Sequence, residues 1–158
     1  MINHPFPPLY DSRSEILILG SFPSVKSREQ MFFYGHPQNR FWKVIAAVFG
    51  SAVPETVEEK KRFLRENHIA LWDVIGACDI RGSADSTIQN VVANDLSAIL
   101  ETANIRHIFV NGKTAEKYYK KYTEKKTGRR AHCLPSTSPA NAAWTLEKLL
   151  DAWRVVKE

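Results

Sequence analysis

The chain has 158 residues, with 22 Lys and Arg against 17 Asp and Glu, a formal net charge of +5. This length suffices for one domain with a sizeable core, so we expect residues 1–158 to form a single domain. No run of about 18 apolar residues is present, which excludes a membrane-spanning helix. The first residues contain no basic stretch followed by an apolar one, which argues against a signal peptide. We therefore expect a cytoplasmic protein with no membrane partner.

The cysteine and histidine content argues against a metal or a cofactor. Cys78 and Cys133 are the only cysteines, too few for an iron–sulfur cluster or a four-cysteine zinc site. The five histidines have no close metal-ligand spacing, and no glycine-rich phosphate loop precedes a Lys-Ser or Lys-Thr pair. We therefore expect no bound metal and no cofactor.

The positive charge is concentrated in one segment. Residues 117–130, KYYKKYTEKKTGRR, contain seven basic residues and one acidic residue, so the remainder of the chain has a net charge of −1. Such a segment is suited to contact the phosphates of an anionic polymer. A solvated surface helix and loop would have the same composition, so charge alone leaves both interpretations open.

Short apolar runs alternate with helical patterns along the chain. We predict strands at residues 15–19, 69–72, 107–110 and 131–134, each a short apolar run before a turn residue. Strands separated by helices imply βαβ units and a sheet buried on both faces. We therefore predict an α/β fold with three α/β/α layers and a central, mainly parallel four-stranded sheet.

Five segments have helical spacing or helix caps. The spacing predicts a helix over 40–49, and the capping-box pair Thr56 and Glu59 opens a second helix that ends near Asn67. Further helices are predicted after a cap at Asn94 or Asp95, after Asn111-Gly112, and from about Asn141 to Trp153.

Polar and aromatic residues gather in the loops that follow the predicted strands. Ligands bind at the carboxyl ends of the strands in such sheets, which selects loops 20–39, 73–87, 111–114 and 135–141. The first loop combines flat rings with fixed polar groups, a mixture that suits an extruded nucleic-acid base. We predict that its base-binding residues are Gly20, Ser21, Phe22, Pro23, Ser24 and Tyr34.

The other candidates have a functional and an ordinary structural interpretation. Asn39 is either a catalytic amide or simply the cap of the next helix. Asp73, at a strand end, is suited to accept from a base or orient water. Asp79 and Asp85 are predicted to be surface charges of little consequence. The 135–141 loop is either a phosphate-binding loop or a simple strand-to-helix turn.

Three segments taken together resemble the uracil-DNA glycosylase superfamily. They are GSFPS with its G-x-x-P pattern, HPQNRFWKVI, and LPSTSPAN before the last helix. The resemblance is closest to the hypoxanthine-DNA (deoxyinosine) glycosylase branch, and the mismatch-specific branch is also similar. The resemblance implies a uracil-DNA glycosylase-like fold. It further implies that Ser136, Thr137, Ser138, Pro139, Asn141 and Lys113 contact DNA.

One position departs from the superfamily pattern. Many members carry a catalytic Asp, Asn or Glu inside the first motif, where this chain has Phe22, which cannot position water. In the hypoxanthine branch the catalytic residue lies in the H-P-x-N segment, so the resemblance assigns that role to Asn39. We therefore expect Asn39 to position water, Phe22 or else Tyr34 to stack on the base, and Asp73 to contact the base.

The resemblance implies a monofunctional DNA glycosylase of base excision repair. Its expected substrate is double-stranded or single-stranded DNA containing a deaminated base, with deoxyinosine the first choice, and we expect a monomer. Three alternatives stay open: a uracil or mismatch-specific glycosylase, a non-catalytic nucleic-acid-binding protein of the same fold, and an unrelated α/β enzyme acting on a small anion.

Overall fold

A computed structural model describes the whole chain, residues 1–158, as a mixed α/β structure. The strands are β1 (Ile2–Asn3), β2 (Ile16–Gly20), β3 (Ile69–Asp73), β4 (Ile75–Asp79), β5 (Gln89–Ala93), β6 (His107–Asn111) and β7 (His132–Leu134). The helices are α1 (Val25–Gln30), α2 (Phe41–Val48), α3 (Val57–Glu66), α4 (Ser97–Thr102), α5 (Lys113–Tyr118), α6 (Glu124–Thr127) and α7 (Leu146–Trp153). A π-helical turn, Tyr119–Thr123, joins α5 to α6.

The central sheet has four parallel strands in the order β3-β2-β6-β7, which confirms the predicted sheet. Leu17, Ile18 and Leu19 in β2 are fully buried, because helices cover both faces of the sheet. The chain leaves β2 towards β3 on one side and later passes to β6 and β7 on the other. Since such crossovers are right-handed, this reversal puts α2 and α3 on one face and α5 and α6 on the opposite face. The gap between β2 and β6 is therefore the topological switch point.

A second, antiparallel sheet with the order β1-β4-β5 was not predicted. The prediction of residues 73–87 as a loop was therefore wrong. Its strands lack a clear apolar pattern: β4 begins Ile75-Gly76-Ala77, and β5 is mostly exposed, with Val92 54% accessible. The sheet is made by pairing between distant segments, which local periodicity does not report.

Two helix predictions also need correction. The predicted loop 20–39 contains α1, which begins where the Ser24 hydroxyl accepts a hydrogen bond from the backbone N–H of Ser27 at 3.1 Å. The last helix begins at Leu146 and not near Asn141, because Thr145 provides its N-cap. The Thr56 cap of α3 is confirmed, with its hydroxyl 3.1 Å from the backbone nitrogen of Glu59.

Helix α7 packs its apolar side against α2 and closes the core. Leu149 and Trp153 are both fully buried, whereas Leu146 on the same helix is 46% exposed. None of the helices combines the length and the apolar character needed to cross a membrane.

This packing predicts different costs for two equivalent truncations. Leu149→Ala should lower the free energy of unfolding by about 2–5 kcal/mol, because it leaves a cavity in the core. Leu146→Ala on the exposed side is the matched control and should change stability by less than about 0.5 kcal/mol. Urea denaturation followed by circular dichroism measures both. Equal losses would contradict the packing of α7.

Candidate active site

A cavity of about 550 Å³ opens at the carboxyl edge of the central sheet. Gly20, Asp73 and Asn111 line it at the last positions of β2, β3 and β6. Ser136 lines it from the loop that follows β7. The cavity thus lies at the topological switch point, where sheets of this kind bind their ligands.

Most of the residues predicted to form the site line this one cavity. They are residues 20–24, Tyr34, Asn39, Asp73 and residues 136–139. Two predicted DNA-contacting residues, Lys113 and Asn141, do not line it. Asn141 instead donates from Nδ2 to the backbone carbonyl of Ser136 at 2.9 Å, so it braces the loop.

The Asn39 amide is held at its oxygen end and open at its nitrogen end. Oδ1 accepts hydrogen bonds from the backbone N–H of Phe41 and from the hydroxyl of Thr137, each at 2.9 Å. Asn39 therefore does cap the start of α2, as the structural interpretation expected. Nδ2 has no hydrogen-bond partner within the protein and is not buried, so it is a free donor at the cavity.

A buried hydrogen-bond chain fixes this orientation. Thr137 is fully buried, and its backbone N–H donates to Oδ1 of Asn111 at 3.1 Å. That bond orients the Asn111 amide, whose Nδ2 then donates to the Thr137 hydroxyl at 3.0 Å. The only hydroxyl proton of Thr137 is left for Asn39. The sequence analysis did not select Asn111, although its place at the end of a predicted strand was the available signal.

Arg40 clamps the loop that carries Thr137. Its guanidinium donates to the backbone carbonyls of Ser138 and Asn141, each at 3.1 Å, and to that of Trp144. Its backbone N–H donates to the carbonyl of Thr137 at 3.1 Å. The segment from Ser138 to the start of α7 forms turns, and the bonds from Arg40 satisfy three of its backbone carbonyls. The sequence analysis assigned Arg40 no role of its own.

Asp73 lies at the inner end of the cavity and is paired with His4. The His4 ring nitrogen Nε2 lies 2.7 Å from Oδ2 of Asp73, and both side chains are almost fully buried. Gly20 faces the other carboxylate oxygen, since a Cβ at Gly20 would lie 2.4 Å from Oδ1. Only glycine therefore allows β2 to approach Asp73 this closely. No group of three or more His, Cys, Asp or Glu side chains is arranged to hold a metal ion.

Phe22 and Tyr34 provide the aromatic surfaces of the cavity. The Tyr34 ring stacks on Phe41 with centroids 4.0 Å apart, and the Arg28 guanidinium lies 5.6 Å from the Phe22 ring centroid. Burial and the negative charge of Asp73 raise the pKa of Tyr34 well above its ordinary value. The Tyr34 hydroxyl oxygen is buried and has no hydrogen-bond partner within the protein.

Asp85, to which the sequence analysis gave no catalytic weight, is an exposed residue that lines the cavity. It lies on the connection between β4 and β5, and its carboxylate accepts from the Ser21 hydroxyl at 3.4 Å. Asp79 differs, because it pairs with the amino terminus and with Asn90, away from the cavity. A prediction of the β4–β5 pairing would have distinguished the two aspartates, because Asp79 ends β4 whereas Asp85 lies on the connection that reaches the cavity.

The basic segment runs away from the cavity. Helix α5 begins at the carboxyl edge of the sheet, directly after β6 and Gly112. Near the end of the segment, the Arg129 guanidinium donates to the carbonyl of Ile105 at 2.8 Å, just before β6 begins. Residues 124–130 thus lie at the opposite edge from the cavity.

The fold and the motifs at its switch point define the class of protein. The family model described as "Uracil DNA glycosylase superfamily" matches residues 7–157, and the chain belongs to this superfamily. Two relatives from Methanosarcina carry the name "Hypoxanthine DNA glycosylase". The protein from Methanosarcina acetivorans is 38% identical over 143 residues, covering 89% of each chain. The protein from Methanosarcina barkeri is 35% identical over 115 residues, covering 72% of this chain and 73% of the relative.

A solved structure agrees with the fold over its full length. The solution NMR structure of a protein from Methanosarcina acetivorans, described there as a candidate uracil DNA glycosylase, superposes with a TM-score of 0.81. It is 34% identical in sequence, and the match covers 100% of both chains. The predicted resemblance to this superfamily and its fold is therefore confirmed.

The buried chain through Thr137 makes a testable prediction. Thr137→Val removes the hydroxyl and leaves the Asn111 and Asn39 amides each without one partner, so the free energy of unfolding should fall by about 1–3 kcal/mol. Thr137→Ser keeps the hydroxyl and should recover most of that loss. Thermal and urea unfolding of both variants measure the difference. Equal stability of the two variants would show that the hydroxyl is not needed.

Proposed function

We propose that this chain is a monofunctional DNA glycosylase that releases hypoxanthine from deoxyinosine in DNA, acting as a monomer with residues 1–158 as one glycosylase domain. Membership of the superfamily and the names of the two Methanosarcina relatives support this reaction. The observation that carries the proposal is the free Asn39 amide nitrogen at a cavity of about 550 Å³. That volume falls within the roughly 300–1,000 Å³ of pockets for small organic ligands.

Asp73 is suited to distinguish hypoxanthine from adenine. Deamination of adenine replaces its amino group with a carbonyl and puts a proton on the adjacent ring nitrogen N1. A carboxylate accepts a hydrogen bond from that N–H but is repelled by the lone pair of adenine. Because Oδ2 of Asp73 is paired with His4, Oδ1 is the oxygen that remains for the base. Phe22, or else Tyr34, supplies the stacking surface.

The loop after β7 is suited to hold the DNA backbone beside the flipped nucleotide. The Ser136 hydroxyl oxygen accepts from the backbone N–H of Ser138, and the Ser138 hydroxyl oxygen accepts from that of Ala140. Both hydroxyl protons are therefore free to donate to phosphate oxygens. The Arg40 clamp keeps this loop in one conformation, which lowers the entropy lost on binding. Double-stranded and single-stranded DNA both satisfy these contacts once the base is extruded.

In the proposed reaction, Asn39 holds the hydrolytic water as a hydrogen-bond donor. Its Oδ1 already accepts two hydrogen bonds, so Nδ2 is the end that can bind a water oxygen. The second lone pair of that water then attacks C1′ of the deoxyribose. Positive charge develops on the sugar and negative charge on the departing base, as in other glycosidic hydrolysis. The product is an abasic site. The Asn39 amide has no useful basicity, so it cannot accept the proton that the water loses.

A panel of labelled duplexes tests the proposed function. The duplexes carry deoxyinosine, uracil, xanthine, ethenocytosine or undamaged adenine and receive alkali after incubation with the protein. We expect alkali-dependent strand breaks, fastest at deoxyinosine. Faster release of uracil would replace hypoxanthine by a pyrimidine substrate, which the name of the matched NMR structure also suggests. Absence of breaks at every base would reject a glycosylase.

Asn39→Ala should slow single-turnover release of hypoxanthine by at least about tenfold, or ~1.4 kcal/mol of barrier, with DNA affinity retained. The variant also loses the cap of α2, so a matched variant is required. Asn39→Ser keeps an oxygen that can cap the helix but has no amide donor. Both variants should be slow, and Asn39→Ser should be more stable to unfolding than Asn39→Ala. Normal excision by either variant would remove Asn39 from the mechanism.

A further inference from the structure

The cavity contains a carboxylate that the proposed reaction leaves unused. Asp85 lies on the connection between β4 and β5, which forms the wall of the cavity next to the β2 loop. This connection is anchored on α1 at two points. The Ser83 hydroxyl accepts from the backbone N–H of Val25 at 2.9 Å, and the Arg28 guanidinium donates to the carbonyl of Gly82 at 2.6 Å. Asp85 is therefore held at the cavity by the fold.

The hydrolytic water needs an acceptor for its proton, and the other candidates in the cavity are already occupied or lack an acceptor. His36 also lines the cavity, but its Nδ1 accepts from the backbone N–H of Gln38 at 3.1 Å, so the neutral ring carries its proton on Nε2. Oδ1 of Asn39 already accepts two hydrogen bonds, which is the usual capacity of a carbonyl oxygen. Phe22 stands where many members of the superfamily carry a polar catalytic residue, and it has no acceptor. Asp73 is buried at the inner end of the cavity and is paired with His4.

The Asp85 carboxylate has the free acceptor capacity that these groups lack. The Ser21 hydroxyl lies 3.4 Å from each carboxylate oxygen and has one proton to share between them, and the Thr114 side chain is the other hydrogen-bonding group beside it. An ionised carboxylate has about four lone-pair positions, so most of them remain open to the cavity.

We propose that Asp85 is a catalytic residue that accepts a proton from the hydrolytic water held by Asn39. The inference rests on the proposed glycosylase function and adds the group that the proposed mechanism lacks. In this arrangement Asn39 donates to the water oxygen, and Asp85 accepts from one of the water hydrogens. The water is thereby oriented between two segments, the start of α2 and the β4–β5 connection.

The step balances as a hydrolysis. The water oxygen forms a bond to C1′, and the bond between C1′ and the base nitrogen breaks with its electron pair left on the base. The water proton passes to the Asp85 carboxylate. A proton from solvent neutralises the departing base, and Asp85 returns its own proton to solvent. Before the proton moves, the negative charge of Asp85 also favours the positive charge that develops on the sugar.

The surroundings of Asp85 adapt it to this role. Asp85 is an exposed residue, but partial desolvation of its carboxyl group at the cavity wall raises its pKa above the ordinary value, and the charge of Asp73 acts in the same direction. Hydrogen bonds from Thr114 and Ser21 act in the opposite direction and are the smaller effect. A carboxylate with a raised pKa is a stronger proton acceptor, provided that it remains ionised near neutral pH.

The test is single-turnover excision of hypoxanthine by Asp85→Asn, with Asp79→Asn as the matched control. Asp79 lies on the same strand pair but outside the cavity, so its variant should excise at the wild-type rate. Asp85→Asn keeps the side-chain size and should lose at least about 100-fold in rate, the lower range for a general base. Binding of the same duplex and thermal unfolding should stay close to wild type.

The dependence of the rate on pH separates proton transfer from a structural role. Raising the pH through the pKa of Asp85 produces the carboxylate, so the wild-type rate should rise across that range. The rise should be absent in Asp85→Asn. Asp73, His36, Tyr34 and the nearby Arg28 are the other charged or titratable groups around this part of the cavity, and they are unchanged in that variant.

Each outcome decides the inference. A rate within about threefold of wild type for Asp85→Asn, or a pH profile identical in shape, would overturn it while the glycosylase function stands. A loss of DNA binding that accounts for the whole rate loss would also overturn it. A wild-type protein that releases no deaminated base would reject both the proposed function and this inference.

Discussion

The site depends on one buried hydrogen-bond chain that joins three segments far apart in the sequence. Asn111 ends β6, Thr137 follows β7, and Asn39 precedes α2. Asn111 accepts from the Thr137 backbone N–H and donates to the Thr137 hydroxyl, which in turn donates to Asn39. The chain is buried at Thr137, where an unpaired polar group would cost about 1–3 kcal/mol. Formation of this buried hydrogen-bond chain therefore also orients the Asn39 amide. The same hydrogen bonds stabilise the fold and set the geometry of the site.

This arrangement reconciles the two interpretations of Asn39. A capping role and a functional role compete only if both need the same atom. Here the cap and the Thr137 hydroxyl use Oδ1, and Nδ2 is left at the cavity. The structural bonds orient the amide within the folded protein, and such preorganisation would lower the reorganisation energy of the proposed reaction.

The two aspartates at the cavity have different environments and suit different tasks. Asp73 is buried, paired with His4 and approached closely by Gly20, so its carboxylate is fixed in place. Asp85 is held only by hydroxyl groups and keeps open lone pairs. Phe22, inside the first motif, has no hydrogen-bonding group, and the β4–β5 connection brings the Asp85 carboxylate to the same cavity from another part of the chain.

Local patterns in the amino-acid sequence predict the central sheet and the loops at which a ligand can bind. Apolar runs such as residues 15–19 need burial on both faces, and parallel strands collect their following loops at one edge. The second sheet, the His4 partner of Asp73 and the position of Asp85 at the cavity arise from contacts between distant segments and are visible only in the folded protein. The reason is physical: buried apolar runs leave a local pattern, whereas a polar contact between residues 69 positions apart leaves none until the chain folds.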